Sequence, residues 1–265
     1  MRSRFSIALL GACVACGEAA TRAEPEPEPT PAPAPTSSTP APTARDAGAR
    51  KTGPHAVSAP LVACAERKGE LGSIADVVAR LGALAPGADG PCFVATLPRP
   101  LAVVATTGVT SAQPAAGRES PRLFFLLPKL VISAVPAGEG SKVIELGEWV
   151  TPTRTLKGEI ALPVTAPLEA DAPFRRVMQG PERTICATCH RDESHHASIP
   201  NAFVSSAYEP EPGTFVTVDQ LDELHAACTK AVDVSARCAM IHAVFDFGEV
   251  AQGAFAAEVP TFFVR

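Results

Sequence analysis

The sequence predicts an α+β protein, with an N-terminal antiparallel β-sandwich-like domain followed by a small, mainly helical C-terminal domain. Short apolar runs between Pro, Gly and Ser clusters occupy the middle of the chain, a pattern typical of an antiparallel sandwich or barrel. Apolar residues at helical spacing mark the last third, and a Pro-rich segment near the N-terminus lacks the large apolar side chains of a core. We therefore divide the chain into a leader (1–22), a linker (23–60), a β-rich domain with one short helix (61–173) and a helical, Cys- and His-rich domain (174–265).

The chain opens with the features of a secretion signal. Arg2 and Arg4 precede an apolar stretch at residues 5–12, which is too short to cross a membrane. The sequence Leu-Gly-Ala-Cys that ends at Cys13 resembles the lipobox of bacterial lipoproteins, whose cysteine is lipidated and becomes the new N-terminus. We expect lipidation of Cys13, with Cys16 as the alternative acceptor. An ordinary signal peptide with two incidental cysteines is the competing interpretation.

Residues 23–60 predict an extended tether. Repeated Glu-Pro and Ala-Pro pairs favour polyproline II, a semi-rigid spacer that stays solvated. After a lipidated cysteine, such a spacer would hold the folded parts away from a membrane on the periplasmic side of the cell envelope. Val14 directly follows Cys13 in place of the Asp that resembles an inner-membrane retention signal, which favours the outer membrane.

The charge of the chain argues against a nucleic-acid partner. The formal net charge is -5, and no run of basic residues is present. A nucleic-acid surface needs a basic patch or stripe to bind the phosphate backbone. We expect no nucleic-acid binding.

One helix and several strands are expected in the β-rich domain. Ile74, Val77, Val78 and Leu81 recur at helical spacing, and Ser73 can cap the first turn. Strands are predicted in four later runs, each bounded by Pro or Gly: PCFVATLPRPLAVVATTGVTSAQ, RLFFLLPKLVISAVPAG, KVIELGEWV and TLKGEIALPVT.

The β-rich domain contains no recognisable catalytic set. Its acids include Glu139, Glu145, Glu148 and Glu159, which we interpret as residues of a solvated strand face rather than a catalytic carboxylate pair. Trp149 fits a surface aromatic for partner binding or a half-buried core residue. We expect this domain to dock or position the rest of the protein.

Two helices are predicted in the C-terminal domain, from VDQLDELHAACTKAV and VSARCAMIHAVFDFG. Thr217 and Gln220 have the spacing of a capping box before the first helix. Val234 is expected to begin the apolar stripe of the second helix. A short turn between the two helices predicts an αα-hairpin across which Cys228 and Cys238 face each other.

The most informative motif is Cys186-Ala187-Thr188-Cys189-His190. Two cysteines at this spacing fit a redox dithiol, half a zinc site, a local disulfide or the two anchors of a covalent haem. A thioredoxin-like site requires a preceding strand of a βαβ unit, and no such strand is predicted before these cysteines. A structural zinc site requires a second close pair of ligands, and the other cysteines form no such pair. A local disulfide leaves His190 without a role.

The segment resembles the haem-attachment motif of c-type cytochromes. The resemblance implies thioether bonds from Cys186 and Cys189 to haem c, with His190 as the proximal iron ligand. It would make residues 174–265 a c-type haem domain. The resemblance covers the five motif residues and not the rest of the chain.

The same resemblance raises the question of a distal iron ligand. Met240 lies fifty positions after His190, a separation similar to that of the distal methionine in small monohaem cytochromes. A plain core methionine is an equal interpretation of Met240, because its helical context differs from the loop that usually carries the ligand. His225 and His242 are the alternatives.

The other cysteines are expected to form disulfides, since thiols of exported proteins tend to pair. With the motif cysteines assigned to haem, the pairs are Cys64–Cys92 and Cys228–Cys238. Lipidation of Cys16 would leave no spare thiol in the mature chain.

These observations predict a lipid-anchored periplasmic monohaem c-type cytochrome-like protein. It would carry single electrons between redox partner proteins, without a substrate of its own. One alternative is a cell-envelope binding or structural lipoprotein that contains disulfides only. Another is a haem-based sensor whose distal iron position is empty or weakly held.

Overall fold

A sheet and six helices make up residues 59–231 and 233–262, the part of the chain that the computed structural model describes. The helices are α1 (Ala59–Ala65), α2 (Ile74–Leu84), α3 (Gly90–Ala95), α4 (Ala172–Val177), α5 (Val218–Ala231) and α6 (Ala236–Phe245). Short 3₁₀ helices lie at Glu139–Lys142, Ile185–Thr188 and Pro212–Thr214. The expected signal, Cys13, Cys16 and nearly all of the linker lie outside the described residues.

The strands form one mostly antiparallel sheet. They are β1 (Leu101–Thr106), β2 (Arg122–Leu126), β3 (Leu130–Ala134), β4 (Val143–Thr151), β5 (Arg154–Ala161), β6 (Ser194–His195), β7 (Phe203–Ser206), β8 (Phe215–Val216) and β9 (Val250–Gln252). Their order is β6-β7-β5-β4-β3-β2-β1-β8, and β9 pairs with β1 in the only parallel contact among the described strands. The α+β class is confirmed, but the described strands form one sheet and not the two of a sandwich.

The two faces of the sheet are covered differently. On the helix face, buried side chains such as Leu123, Phe125 and Ile132 belong to the main core with α2, α3 and α6. α2 and α4 approach this face at Gly158, where an added Cβ would lie 3.0 Å from Pro173 Cβ. Because side chains alternate along a strand, the residues between these core positions point to the opposite face, which carries the cavity described below.

Side-chain caps determine where α2 and α3 begin. α2 begins where expected, since the Ser73 hydroxyl accepts a hydrogen bond from the Asp76 amide at 3.2 Å. The run that begins at Pro91 was expected to be extended, yet its first residues form α3. Asp89 explains this difference, because its carboxylate accepts a hydrogen bond from the Cys92 amide at 2.8 Å and Pro91 is well suited to the first turn of a helix.

The C-terminal helical hairpin is confirmed. The Thr217 amide donates to Gln220 Oε1 at 3.0 Å, and the Gln220 amide donates to Thr217 Oγ1 at 3.2 Å, which completes the capping box. The prediction for Val234 is wrong: it precedes α6, whose N-cap is Ser235, and it is 94% exposed.

The expected boundary at residue 173 does not separate two bodies. β7 pairs with β5, β8 and β9 pair with β1, and α6 packs against α3. Strands from the last third thus extend both edges of the sheet, and the described residues belong to one compact unit. Among the described residues, none of the helices has the length and apolar character needed to cross a bilayer.

Candidate functional site

The cysteine motif folds into a single tight turn. Thr184 caps it, since its hydroxyl accepts a hydrogen bond from the Cys186 amide at 3.1 Å. The Cys186 carbonyl accepts from the amides of Cys189 at 3.1 Å and His190 at 2.8 Å. Glu193 holds the start of the turn by accepting from the Thr184 amide at 2.8 Å. The turn therefore presents both thiols and the imidazole from one short segment.

The three motif side chains line a cavity of about 450 Å³ on the second face of the sheet. This space, called the motif cavity below, is within the usual size range of small-molecule sites. Its floor is formed by alternate residues of β2 to β5, and its walls include the segments 107–112 and 207–211. Apolar and aromatic residues that line it are Phe124, Val131, Trp149, Val177, Ile185, Tyr208, Phe255 and Phe262.

Gly147 lies in the floor of the cavity. It pairs with Val131 of β3 and Lys157 of β5 on the neighbouring strands. A Cβ at Gly147 would lie 2.8 Å from Val131 Cγ1 and 3.3 Å from Thr155 Cβ. The side chains of Val131 and Thr155 therefore cover the Gly147 backbone and leave no room there for a Cβ.

His190 is held as a neutral imidazole. Its Nδ1 lies 2.7 Å from the Ser206 carbonyl oxygen, which can only accept, so Nδ1 carries the proton and Nε2 keeps a lone pair. Burial and the nearby charge of Lys157 lower the pKa of His190 to about 3. The ring of Tyr208 stacks on the imidazole with a centroid separation of 5.5 Å. This environment holds Nε2 available as a metal ligand at neutral pH.

Lys157 is a buried cation in the motif cavity. It is 8% exposed, and its Nζ lies 3.4 Å from His190 Nδ1, but both atoms carry hydrogen when Nδ1 donates to Ser206. Within residues 59–231 and 233–262, Lys157 forms no ion pair with a carboxylate, while burial lowers its pKa to about 8. The cavity thus offers a positive charge that the described residues do not neutralise.

The acidic residues singled out from the sequence have separate partners. Glu145 and Glu159 face each other across β4 and β5 and line the motif cavity, rather than an open solvated face. Glu145 pairs with Arg122 at 2.5 Å, and Glu159 pairs with Arg176. Burial raises the pKa of Glu159.

The two remaining acids lie outside the cavity. Glu148 accepts a hydrogen bond from the Ile74 amide at 2.8 Å, and Glu139 pairs with Lys142 at 2.7 Å. Both therefore have structural roles, at the start of α2 and on the surface.

The motif thiols are free, and that of Cys186 is poorly suited to redox exchange. Cys186 and Cys189 form no disulfide with each other. Burial raises the pKa of Cys186 to about 11, so it is a neutral thiol at pH 7. Dithiol oxidoreductases need the opposite, a thiol whose pKa is lowered toward neutrality. The structure thus argues against the redox-dithiol interpretation.

The zinc interpretation also lacks support at the motif. Among the described residues, the single group of three His, Cys, Asp or Glu side chains whose ligand atoms converge is His225, His242 and Asp246. Cys186, Cys189 and His190 do not converge in this way, whereas a structural zinc site needs four ligands around one point.

The proposed distal ligands lie away from the motif. Met240 does not line the motif cavity; it is 2% exposed in the core, and its Cε blocks the position of a Cβ at Gly90. His225 and His242 lie in the hairpin, where both contact Asp246. The structure therefore does not bring Met240, His225 or His242 to His190.

Both expected disulfides are present. Cys64–Cys92 joins the end of α1 to α3, and Cys228–Cys238 joins α5 to α6. The structure thus contains two bridged pairs and the free pair at the motif among the described cysteines.

Lys157 and Tyr208 are residues of the site that were not predicted from the sequence. In β5, Thr155, Lys157 and Glu159 alternate with apolar residues, a pattern that normally indicates a solvent-facing strand side. The cover of this side includes residues 107–112, 185–190 and 207–211, which lie more than 25 positions before or after these strand residues in the chain. Local alternation contains no signal for such a distant cover. No family model, curated protein or solved structure matches the chain, so its function is argued from the motif cavity.

Proposed function

We propose that the protein is a c-type haem protein of the cell envelope that transfers single electrons. One observation carries the proposal: Cys186, Cys189 and His190 line the same cavity, with both thiols free and Nε2 of His190 unprotonated. These are the chemical states that thioether formation and iron coordination require.

The cavity residues fit a haem. Apolar and aromatic walls suit the macrocycle. Lys157 and Arg122 are the cations that line the cavity, and Lys157 is the one without a carboxylate partner among the described residues. A haem has two carboxylates that need such charges.

Each residue of the site has a distinct task in this proposal. A bound haem supplies an iron that gains and loses one electron. Cys186 and Cys189 would fix the macrocycle covalently, and His190 would coordinate the iron through Nε2. The Ser206 carbonyl holds the imidazole in the tautomer and orientation that this requires. Tyr208 packs against the ring and limits its rotation.

The N-terminal features extend the proposal to location and partners. Lipidation of Cys13, or of Cys16, would anchor the chain in a membrane by its N-terminus, and the outer membrane is favoured. The Pro-rich linker would set the folded unit at a distance from the lipid. The electron partners would be other proteins of the envelope.

A second candidate function is a haem-based sensor. Of the residues described, those that line the motif cavity include no methionine and no histidine besides His190. A distal position without a strong protein ligand binds small molecules. Carbon monoxide added to the reduced protein tests this point: a shifted Soret band favours the sensor, and an unchanged band favours a carrier with two protein ligands.

The experiment that tests the proposal is a pyridine haemochrome spectrum. The full chain is exported from a host with haem-attachment machinery, and acid-acetone extraction then removes any non-covalent haem. A retained c-type band is expected in the wild type and is absent from Cys186→Ser/Cys189→Ser. A colourless wild-type protein would contradict the proposal and favour a disulfide-containing binding or structural lipoprotein.

A further inference from the structure

The helical hairpin contains a second set of metal-ligand side chains. His225 comes from α5, while His242 and Asp246 lie one turn apart at the end of α6. One ligand atom from each of the three lies within 4.8 Å of the other two. His225 Nε2 is 2.6 Å from Asp246 Oδ1, and His242 Nδ1 is 2.9 Å from Asp246 Oδ2. We call this group the hairpin cluster.

The hairpin cluster is buried and rigidly supported. The side chains of His225 and Asp246 are 3% and 1% exposed, and that of His242 is 17% exposed. The Cys228–Cys238 disulfide joins the same two helices one turn away from both histidines. The helices are thus fixed before any ligand binds, which lowers the entropy cost of assembling a site.

The cluster places a buried carboxylate beside two ring nitrogens that can coordinate a metal. Burial alone would raise the pKa of Asp246, but hydrogen bonds and charge from His225 and His242 outweigh it and lower the pKa. The buried carboxylate is therefore ionised. Arg99 also faces this region: it donates to the carbonyls of Ala243 at 2.8 Å and Val244, and the charge of Asp246 supports its own charge.

We propose that His225, His242 and Asp246 bind a divalent transition metal of the zinc class. Two imidazoles and one carboxylate suit zinc, copper or nickel better than magnesium or calcium, which prefer oxygen ligands. Three protein ligands leave a fourth position for water, on the side of His242, the most exposed of the three. Nothing in this site depends on haem at the motif.

Metal binding would replace two hydrogen bonds by coordinate bonds. His225 Nε2 and His242 Nδ1 now donate to Asp246, so each must give up its proton to present a lone pair. The proton moves through solvent to the other nitrogen of the same ring, or to bulk water if the ring was doubly protonated. The carboxylate then binds the cation, and no electron is transferred.

The test is Zn²⁺ binding to the full, exported, tag-free chain after dialysis against a chelator. Calorimetric titration and metal analysis are expected to give one Zn²⁺ per chain. Asp246→Asn and His242→Gln should weaken binding by about 100-fold or more, since even residues that only orient metal ligands account for about 10- to 100-fold. An X-ray absorption spectrum of the zinc-loaded wild type should show imidazole and oxygen ligands without sulfur.

Two control variants distinguish zinc binding at the hairpin cluster from zinc binding by other histidines or cysteines. His195→Gln/His196→Gln removes two adjacent histidines outside the cluster, one exposed and one half-buried, and Cys186→Ser/Cys189→Ser removes the motif thiols together with any haem. Both should bind Zn²⁺ as the wild type does. The zinc proposal is therefore tested independently of the haem proposal. Absence of bound Zn²⁺, sulfur ligands in the spectrum, or binding unchanged in both cluster variants would overturn the inference.

Discussion

The motif turn and the helical hairpin contain the same residue types in opposite states. Each region has two cysteines and histidine. At the motif, Cys186 and Cys189 are three positions apart and free, and in the hairpin Cys228 and Cys238 are ten positions apart and bridged. The motif opens onto a cavity of about 450 Å³, whereas the hairpin residues are packed into the core.

The histidines differ through the groups that they contact. His190 donates to a backbone carbonyl beside a buried lysine, and burial with that charge lowers its pKa to about 3. His225 and His242 contact the buried carboxylate of Asp246 instead. Residue type alone thus does not identify a haem ligand. A neutral imidazole beside free thiols and a cavity suits haem, while two imidazoles on a carboxylate suit a small cation.

The largest expected effect concerns the proximal ligand. His190→Ala should abolish the spectrum of a histidine-ligated haem in the exported protein and leave haem poorly attached. His242→Gln, the matched change in the hairpin, should leave the spectrum unchanged. Absorption spectra of the two purified variants make the comparison. A wild-type spectrum in His190→Ala would show that His190 is not an iron ligand. A changed spectrum in His242→Gln would show that the hairpin contributes to the haem site.

A second large effect is expected in fluorescence. Trp149 is the one tryptophan of the chain and lines the motif cavity. A haem in the same cavity would quench it strongly by energy transfer, because haem absorbs where tryptophan emits. Cys186→Ser/Cys189→Ser should therefore emit several times more than the wild type at equal concentration. Equal emission from haem-loaded wild type and variant would place the haem elsewhere.

The disulfides should make measurable contributions to stability. A bridge stabilises by restricting the unfolded chain, more so for a longer loop. Cys64–Cys92 closes a separation of 28 residues and Cys228–Cys238 one of 10, so replacing each pair with serine should cost about 3.5 and about 2.5 kcal/mol. Urea unfolding measures both values. Free thiols at these four positions in mature wild-type protein would contradict the pairing.

Local sequence signals predicted the hairpin better than the cavity. The capping box at Thr217 and Gln220 and the facing cysteines are short-range features, and the structure contains them as expected. The sandwich-like domain was predicted from short apolar runs between Pro, Gly and Ser clusters, which indicate strands but do not show how many sheets they form. Alternation shows that a strand has two unlike faces, but it does not show what covers the second face.

The motif residues were identified from spacing, but their surroundings were not. Lys157 and the Ser206 carbonyl meet His190 only because β5 and β7 pair in the sheet. The expected domain boundary at residue 173 assigned β5 and β7 to different domains, so their pairing was not predicted. For Met240, sequence spacing was misleading. Its separation from His190 suggested an iron ligand, yet its helix packs it into the core beside Gly90.

The smallest effect that we predict isolates the buried charge of the cavity. Lys157 has a pKa of about 8 in the folded chain, against an ordinary value of 10.5. Between these values the unfolded chain binds more protons than the folded chain, so stability should rise with pH through that window. In the Cys186→Ser/Cys189→Ser background, which lacks thiol titration at the motif, the rise from pH 7 to 9.5 should be at most about 2 kcal/mol.

Lys157→Met should remove this rise, because methionine fills a similar volume without charge. It should also stabilise the haem-free chain at pH 7, where the buried ammonium is unfavourable. Lys142→Met is the matched control, since Lys142 is exposed and pairs with Glu139 on the surface, where such pairs contribute little. Urea unfolding at several pH values compares the three proteins. If Lys157→Met and Lys142→Met follow the same pH dependence, Lys157 is hydrated and paired in solution, and its charge is not available to a ligand in the cavity.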